Sequence, residues 1–326
     1  MDHLGEFELI ERYFARPAGR AAMGMGDDCA LLAPAAGMHL AVSSDMLVEG
    51  RHFLSTVAPE RLGHKALAVN LSDLAACAAR PVAFMLALAL PQADDAFLAP
   101  FARGLFAVAD RFGCELVGGD TTRGPLTIAI TVFGEVPHGT ALLRSGARSG
   151  DDLFVSGTLG DARLALEVFR GNASLPGDAF ARVRRAMEAP EPRVALGMAL
   201  RGIASSAIDV SDGLAGDLAH VLRRSGVAAV VDVDALPRSA DLATQPAARQ
   251  RECLLSGGDD YELVFTAPRD RRAAVAAAAA ASATQVTRIG AIEAGSGIRW
   301  RDAAGRDVAG PVASFDHFAA PAAPAS

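Results

Sequence analysis

Six times along the chain a carboxylate stands at the end of an apolar run or beside a glycine or serine turn. These points are Gly24-Met25-Gly26-Asp27-Asp28, Ser43-Ser44-Asp45, Asn70-Leu71-Ser72-Asp73, Gly118-Gly119-Asp120-Thr121-Thr122, Asp209-Val210-Ser211-Asp212-Gly213 and Gly257-Gly258-Asp259-Asp260-Tyr261. Taken singly, each reads as a solvated turn or a helix cap, the usual work of aspartate beside glycine. Their recurrence constrains more. Carboxylates delivered by separate strands and turns can converge on hard cations such as Mg2+, which take oxygen ligands.

Apolar periodicity predicts helices over 6–14, 59–79, 96–112, 161–170, 176–185, 194–203, 214–224 and 271–281. It predicts strands over 30–32, 38–43, 82–90, 114–117, 126–136, 153–156, 207–210, 227–233, 261–266 and 285–292. Strands and helices alternate, so the expected fold is α/β (α+β). Asp45 is expected at or just past the end of its strand. The run 82–90 reads as a strand buried on both faces, and Gly118-Gly119-Asp120 as a turn between two strands. In the helix over 59–79, Leu67, Leu71, Leu74 and Ala78 form the apolar stripe, while Asn70 and Asp73 share another face three residues apart.

A length of 326 residues supports two domains. The glycine-rich, polar stretch 137–152, which carries Arg144 and Arg148, reads as the linker. The expected units are therefore 1–137 and 138–318. The Ala, Pro and Ser stretch 319–326 reads as a disordered tail. Asp-containing motifs repeat at equal spacing: Ser72-Asp73 recurs as Ser211-Asp212, and Gly118-Gly119-Asp120 as Gly257-Gly258-Asp259. The flanking sequences do not match, which argues against a duplication.

Composition excludes several classes. A net charge of −7 without a basic block speaks against nucleic acid or an anionic membrane as partner. The four cysteines are scattered, with no C-x-x-C pair to hold zinc or run redox chemistry. No apolar stretch approaches the roughly 20 residues of a membrane helix. No signal peptide is recognisable at the start, so a cytoplasmic, reduced protein is expected. Lys65 is the only lysine, and Gly63-His64-Lys65-Ala66 does not fit a P-loop. The His-Arg-Asp and Asp-Phe-Gly triplets of protein kinases are absent as well. If this chain handles phosphates, it does so with metals held by carboxylates, backbone amides and arginine.

The six acidic points, with Arg144-Ser145-Gly146-Ala147 and Ser256 to Leu263, together resemble the thiamine-monophosphate kinase family, in that family's order and over nearly the whole chain. The family belongs to the aminoimidazole ribonucleotide synthetase-like group of ATP-binding proteins, which use no P-loop. The resemblance implies an N-terminal sheet domain that binds ATP and Mg2+ and dimerises, and a C-terminal α/β domain that closes over nucleotide and substrate. It implies transfer of a phosphoryl group from ATP to thiamine monophosphate by a homodimer. By position, Asp28, Ser43, Ser44, Asp45, Asp73, Asp120, Asp209 and Asp212 would be ligands of several Mg2+ ions. Gly119, Asp120, Arg144 and Ser211 would contact ATP, with Asp45, Asp120 and Arg144 acting in catalysis. His52, Asp259 and Phe315 would contact thiamine monophosphate. Two residues depart from the family pattern: Asp259 stands where glutamate is common, and Phe315 where tyrosine is. The alternatives are another ATP-using enzyme of the same group and a non-catalytic nucleotide- or metal-binding module. Selenophosphate synthesis wants a reactive cysteine in a mobile loop, and carbamoyl dehydration wants a C-terminal cysteine; neither is found here.

Overall fold

The computed structural model describes residues 6–19, 21–25 and 28–310. Helix α1 (Glu6–Tyr13) is followed by β1 (Met38–Val48), α2 (Pro59–Ala76), β2 (Arg80–Leu90), α3 (Asp95–Phe112), β3 (Glu115–Arg123) and β4 (Thr127–Pro137). Next come β5 (Asp152–Ser156), α4 (Asp161–Phe169), α5 (Gly177–Glu188), α6 (Val194–Ala199), β6 (Ser206–Asp209), α7 (Leu214–Ser225) and β7 (Ala228–Asp232). The chain continues through α8 (Ala240–Ala243), α9 (Ala247–Ser256), β8 (Leu263–Ala267), α10 (Arg272–Ala281), β9 (Val286–Glu293) and β10 (Gly297–Arg301). Four strands form one sheet in the order β1-β4-β2-β3, and six form a second in the order β10-β7-β9-β5-β8-β6. In the first sheet only β2 and β3 run parallel, joined by the crossover helix α3; in the second, only β10 and β7 do.

Helix α2 is the shared element. Proline at its first position and Glu60 in its first turn suit a helix start. Thirteen of its 18 residues are buried. Its leucines belong to one apolar core with Phe84, Leu86 and Leu88 of the first sheet and with Phe154, Leu263 and Phe265 of the second. The other face of the second sheet has its own core, where Leu153, Val155 and Val264 meet Leu164, Leu218 and Leu254 of α4, α7 and α9. Helix α2 stops at Ala76, short of the expected end, because Ala78 takes a left-handed conformation (φ 57°) that no helix can continue.

Several expectations need correction. Strand β1 runs on to Val48, so Asp45 lies inside the strand, paired with Ile130. Alternation explains this: Ser43, Asp45 and Leu47 turn toward α2, while Val42, Ser44 and Met46 turn outward. Gly118-Gly119-Asp120 is no turn, for β3 continues through it to Arg123. Gly119 (φ 150°) passes so close to β2 that an added Cβ would lie 1.8 Å from the Leu86 carbonyl oxygen. Strand β2 is not buried on both faces, since Met85 is 40% exposed and Ala87 is exposed. No strand covers 30–32, where Leu31 makes only an isolated bridge to Met23. The two equally spaced motif pairs occupy unlike elements: Ser72-Asp73 is mid-helix, Ser211-Asp212 a loop, Gly118–Asp120 a strand and Gly257–Asp259 a loop. Helices α8 and α9 and strand β10 were not expected from the sequence. The 319–326 stretch and Phe315 lie outside the described residues.

Two glycines bring α2 and α3 together. A Cβ on Gly63 would lie 2.0 Å from the Phe101 carbonyl oxygen, and one on Gly104 would lie 1.8 Å from that of Glu60. Helix propensity alone would favour alanine at Gly104 by about 1 kcal/mol. The backbone clash outweighs it, so Gly104→Ala is expected to destabilise the protein by about 1–3 kcal/mol. A fall in the urea midpoint would check this; a rise would show that the helices can separate freely.

Candidate active site

A cavity of about 840 Å3 opens between β1, the loop after it, α2, α4 and the turn before β8. Its lining includes Asp45, His52, Lys65, Asp73, Asp209, Ser211, Asp212 and Asp259. Helix α2 arranges this site through four polar side chains on two adjoining stripes. Asn70 and Asp73 face β1: the Asn70 amide oxygen accepts from the Asp45 backbone N–H (3.0 Å), and Ser43 donates its hydroxyl to Asp73 (2.5 Å). Lys65 and Ser72, seven residues apart and so on one face, reach the second sheet's side. Ser72 donates to the Asp209 carboxylate (2.7 Å), and Lys65 Nζ donates to Asp259 Oδ2 (2.9 Å). Asn70 also donates to the Ala66 carbonyl oxygen. Among the described residues no buried side-chain nitrogen or oxygen lacks a hydrogen-bond partner, which is what makes a polar stripe tolerable inside a core.

Like charges crowd one end of the cavity. Burial, then Asp73 and Asp212, push the Asp45 carboxyl up to about 6. Burial raises Asp73 too, against the Ser43 hydroxyl and the positive charge of Arg144. Asp209 is raised by burial and then by Asp73, opposed by the Ser72 hydroxyl. Asp217, whose carboxylate accepts from the backbone N–H groups of Ser211 and Asp212 (both 3.0 Å), is pushed up to about 7, mainly by burial. These groups are hard oxygen donors carrying repulsion that a cation would relieve. No three His, Cys, Asp or Glu side chains among the described residues are close enough to enclose an ion by themselves.

Beside Ser211 in the same cavity Asp259 sits in a left-handed conformation (φ 66°), its backbone N–H donated to the Ser211 carbonyl oxygen (2.9 Å). Tyr261, also left-handed (φ 51°), donates its hydroxyl to Asp259 Oδ1 (3.0 Å). His52 accepts from the Val48 N–H at Nδ1 (3.0 Å), so a neutral ring carries its proton on Nε2. Buried Glu262 anchors this turn from below, accepting from Ser156 (2.5 Å) and from the Arg193 guanidinium (2.7 Å).

Other expected site residues stand apart. Ser44 is the exception in lining the cavity, yet its hydroxyl turns away from Asp45 to β4, 3.1 Å from the Ile130 carbonyl oxygen and 3.0 Å from Thr131 Oγ1. Asp120 is exposed and pairs with Ala87 on β3, the opposite edge of the sheet from β1. Its neighbours Gly119 and Thr121 align with Leu86 and Leu88 of the buried face, so Asp120 belongs to the outer one. Asp28 and Arg144 are exposed and, with Gly119, lie outside the cavity lining. Ser225 holds the Arg144 segment by accepting from the Gly146 and Ala147 N–H groups (3.2 Å each). Lys65, Asp217, Tyr261 and the Arg193–Glu262 pair were missed as site residues. The solitary lysine, seven residues before Ser72, was a signal that could have been used.

Comparison with known proteins identifies the lineage. Residues 26–136 match the family model described as AIR synthase related protein, N-terminal domain, and residues 148–302 match the corresponding C-terminal domain. The thiamine-monophosphate kinase of Salmonella typhimurium is 45% identical over 325 residues, covering 97% of this chain and 99% of that protein. The chain belongs to the thiamine-monophosphate kinase family. The Caulobacter vibrioides member is 41% identical over 304 residues, 90% of this chain and 85% of that one. A crystal structure of the Stenotrophomonas maltophilia thiamine-monophosphate kinase superposes with a TM-score of 0.82 at 44% identity, covering 90% of this chain and 94% of the other. A structure described as AaThiL complexed with AMPPCP and TMP superposes at 0.76 and 30% identity, over 87% and 88% of the two chains. Hydrogenase maturation protein HypE, at 21% identity and a TM-score of 0.76, shares the fold. Among the described residues no helix is long and apolar enough to cross a membrane.

The Arg193–Glu262 pair gives a stability prediction. Arg193→Ala leaves the buried Glu262 carboxylate without its cation, a loss of about 3–5 kcal/mol. Pairing it with Glu262→Gln should recover much of that loss. Equal urea midpoints for the single and double variants would remove the ion pair from the account.

Proposed function

We propose that this chain phosphorylates thiamine monophosphate to thiamine diphosphate, with ATP as donor and several Mg2+ ions as cofactors. One observation carries the reading: a single cavity gathers a crowded group of carboxylates together with His52 and Asp259, both fixed in place by hydrogen bonds. The carboxylates suit the polyphosphate with its metals, and His52 with Asp259 suits the thiamine rings. Asp45, Asp73, Asp209 and Asp212, with Ser43, the Ser44 backbone and Asp28, would hold the ions. Those ions would neutralise the approaching phosphates and align donor and acceptor oxygens in line. Because the carboxylates do not enclose an ion alone, phosphate oxygens would complete the coordination.

The chain's own groups bind and orient. The acceptor phosphate is largely ionised near pH 7, so no general base is required. Arg144 supplies positive charge near Asp73 and Asp217 and would neutralise the transferring group. Ser211, held by Asp217, and Gly119 would contact the nucleotide. His52 Nε2 would donate to the substrate, and Asp259 would accept from the aminopyrimidine or face the thiazolium. Phe315 would add an aromatic face.

Dimerisation belongs to the same reading. Leu40, Val42 and Met46 of β1 and Met85 of β2 are 39–56% exposed on the outer face of the first sheet. Such a stripe suits a second copy better than water. Asp120 lies on this face, so its expected share in metal and ATP binding would be exercised beside the partner copy. Units 1–137 and 138–318 would then be the dimerising and the closing domain, acting in the cytoplasm.

Incubation with ATP, Mg2+ and thiamine monophosphate should yield thiamine diphosphate, with loss of turnover on chelation. Asp45→Asn should lower kcat about a hundredfold or more while leaving the thermal midpoint intact. A folded Asp45→Asn enzyme with near wild-type turnover would remove Asp45 from the metal set. Asp259→Ala should raise KM for thiamine monophosphate about tenfold and move KM for ATP far less. Light scattering should give about twice the 33.6 kDa of one chain, and Val42→Asp should reduce it to one; an unaffected mass would move the interface elsewhere.

A further inference from the structure

We infer that Lys65 is a positioning residue for substrate recognition: its ammonium clamps Asp259 and the His52 backbone side by side in the wall of the cavity. The inference rests on the proposed function, since it concerns how that site holds thiamine monophosphate. Lys65 Nζ donates to Asp259 Oδ2 at 2.9 Å and to the His52 carbonyl oxygen at 3.2 Å. It thereby ties the loop after β1 to the turn before β8, two segments that both line the pocket.

Three features separate this from ordinary packing. The side chain is 2% exposed, a rare state for lysine. An ion pair of this kind is a poor source of stability, and an apolar side chain of similar length serves a core as well or better. The partner is the opposite case: Asp259 is 36% exposed, so it meets both the buried ammonium and the open cavity. Its left-handed backbone is an uncommon conformation for aspartate, kept here by the Ser211 contact and by Lys65 and Tyr261 on its two carboxylate oxygens. Each carboxylate oxygen has more than one acceptor position. Capacity therefore remains toward the cavity, in a direction already fixed before substrate arrives. Fixing it in advance lowers the ordering cost of binding. The paired ammonium also partly offsets the Asp259 charge, which favours a ligand offering directed N–H donors beside a cation, as aminopyrimidine and thiazolium do.

The test uses Lys65→Met, which keeps the stem and removes the charge. KM for thiamine monophosphate should rise about tenfold, KM for ATP should stay within about twofold, and the thermal midpoint should not fall. Lys65→Met combined with Asp259→Ala should be no worse than Asp259→Ala alone, because the clamp acts through that carboxylate. An unchanged KM for thiamine monophosphate, equal rises in both KM values, or full additivity would each overturn the clamp. A second measurement needs no variant. Lys65 carries the only side-chain amine, so reductive methylation followed by peptide mass spectrometry reads it alone. Thiamine monophosphate should slow its methylation severalfold and ATP should not; equal rates with and without thiamine monophosphate would refute the inference. Wild-type protein that forms no thiamine diphosphate would instead refute the proposed function, while the methylation assay still reports on the clamp.

Discussion

The structure depends on a helix that is buried on nearly all sides and still turns Lys65, Asn70, Ser72 and Asp73 inward. Helix α2 lies between the two sheets, and its leucines fill the core shared by both. Burying Lys65, Asn70, Ser72 and Asp73 without partners would cost several kcal/mol. The fold meets this by giving each a specific partner: Asp259, Asp45, Asp209 and Ser43 respectively. Satisfying the helix and building the site are therefore one problem. Any shift of α2 along its axis would break contacts to β1 and to the second sheet's side together. The close approach of α3 through Gly63 and Gly104 limits such a shift.

Charge is arranged with the opposite logic. Elsewhere, arginines at the rim answer buried acids in pairs, as Arg61 does for Glu188 and Arg272 for Asp152. In the cavity burial and then Asp73 and Asp212 raise the Asp45 carboxyl, burial and then Asp73 raise that of Asp209, and the positive charge of Arg144 acts on Asp73 from outside the lining. A cluster of like charges in a partly buried cleft carries repulsion, and this is the environment in which a multivalent cation binds well. Lys65 could have neutralised it but is committed to Asp259.

Much of this was legible in the sequence. The α/β alternation was legible as a local statement, because apolar periodicity acts over a few residues. Errors arose where a strand survives residues that normally end one. Strand β1 passes through Ser43-Ser44-Asp45 because Asn70 and Asp73 meet its polar face from outside, and β3 passes through Gly118-Gly119-Asp120 because β2 needs the close approach. Helix α2 stops short for a backbone reason, the left-handed Ala78, that its apolar pattern did not carry.

The sequence by itself determined which chemistry was available: many carboxylates, one lysine, arginine as the other cation, and no motif for gripping phosphate by backbone and lysine alone. It also determined the family, because motif order survives without knowledge of contacts. Only the tertiary structure decided which acids share a cavity. Asp45, Asp73, Asp209 and Asp212 do, while Asp120 lies on the far edge and outer face of the same sheet that carries Asp45. The reason is that strand order and side-chain face are set by pairing between distant segments. A pattern of period two fixes alternation along a strand, but not which face a neighbouring element will cover.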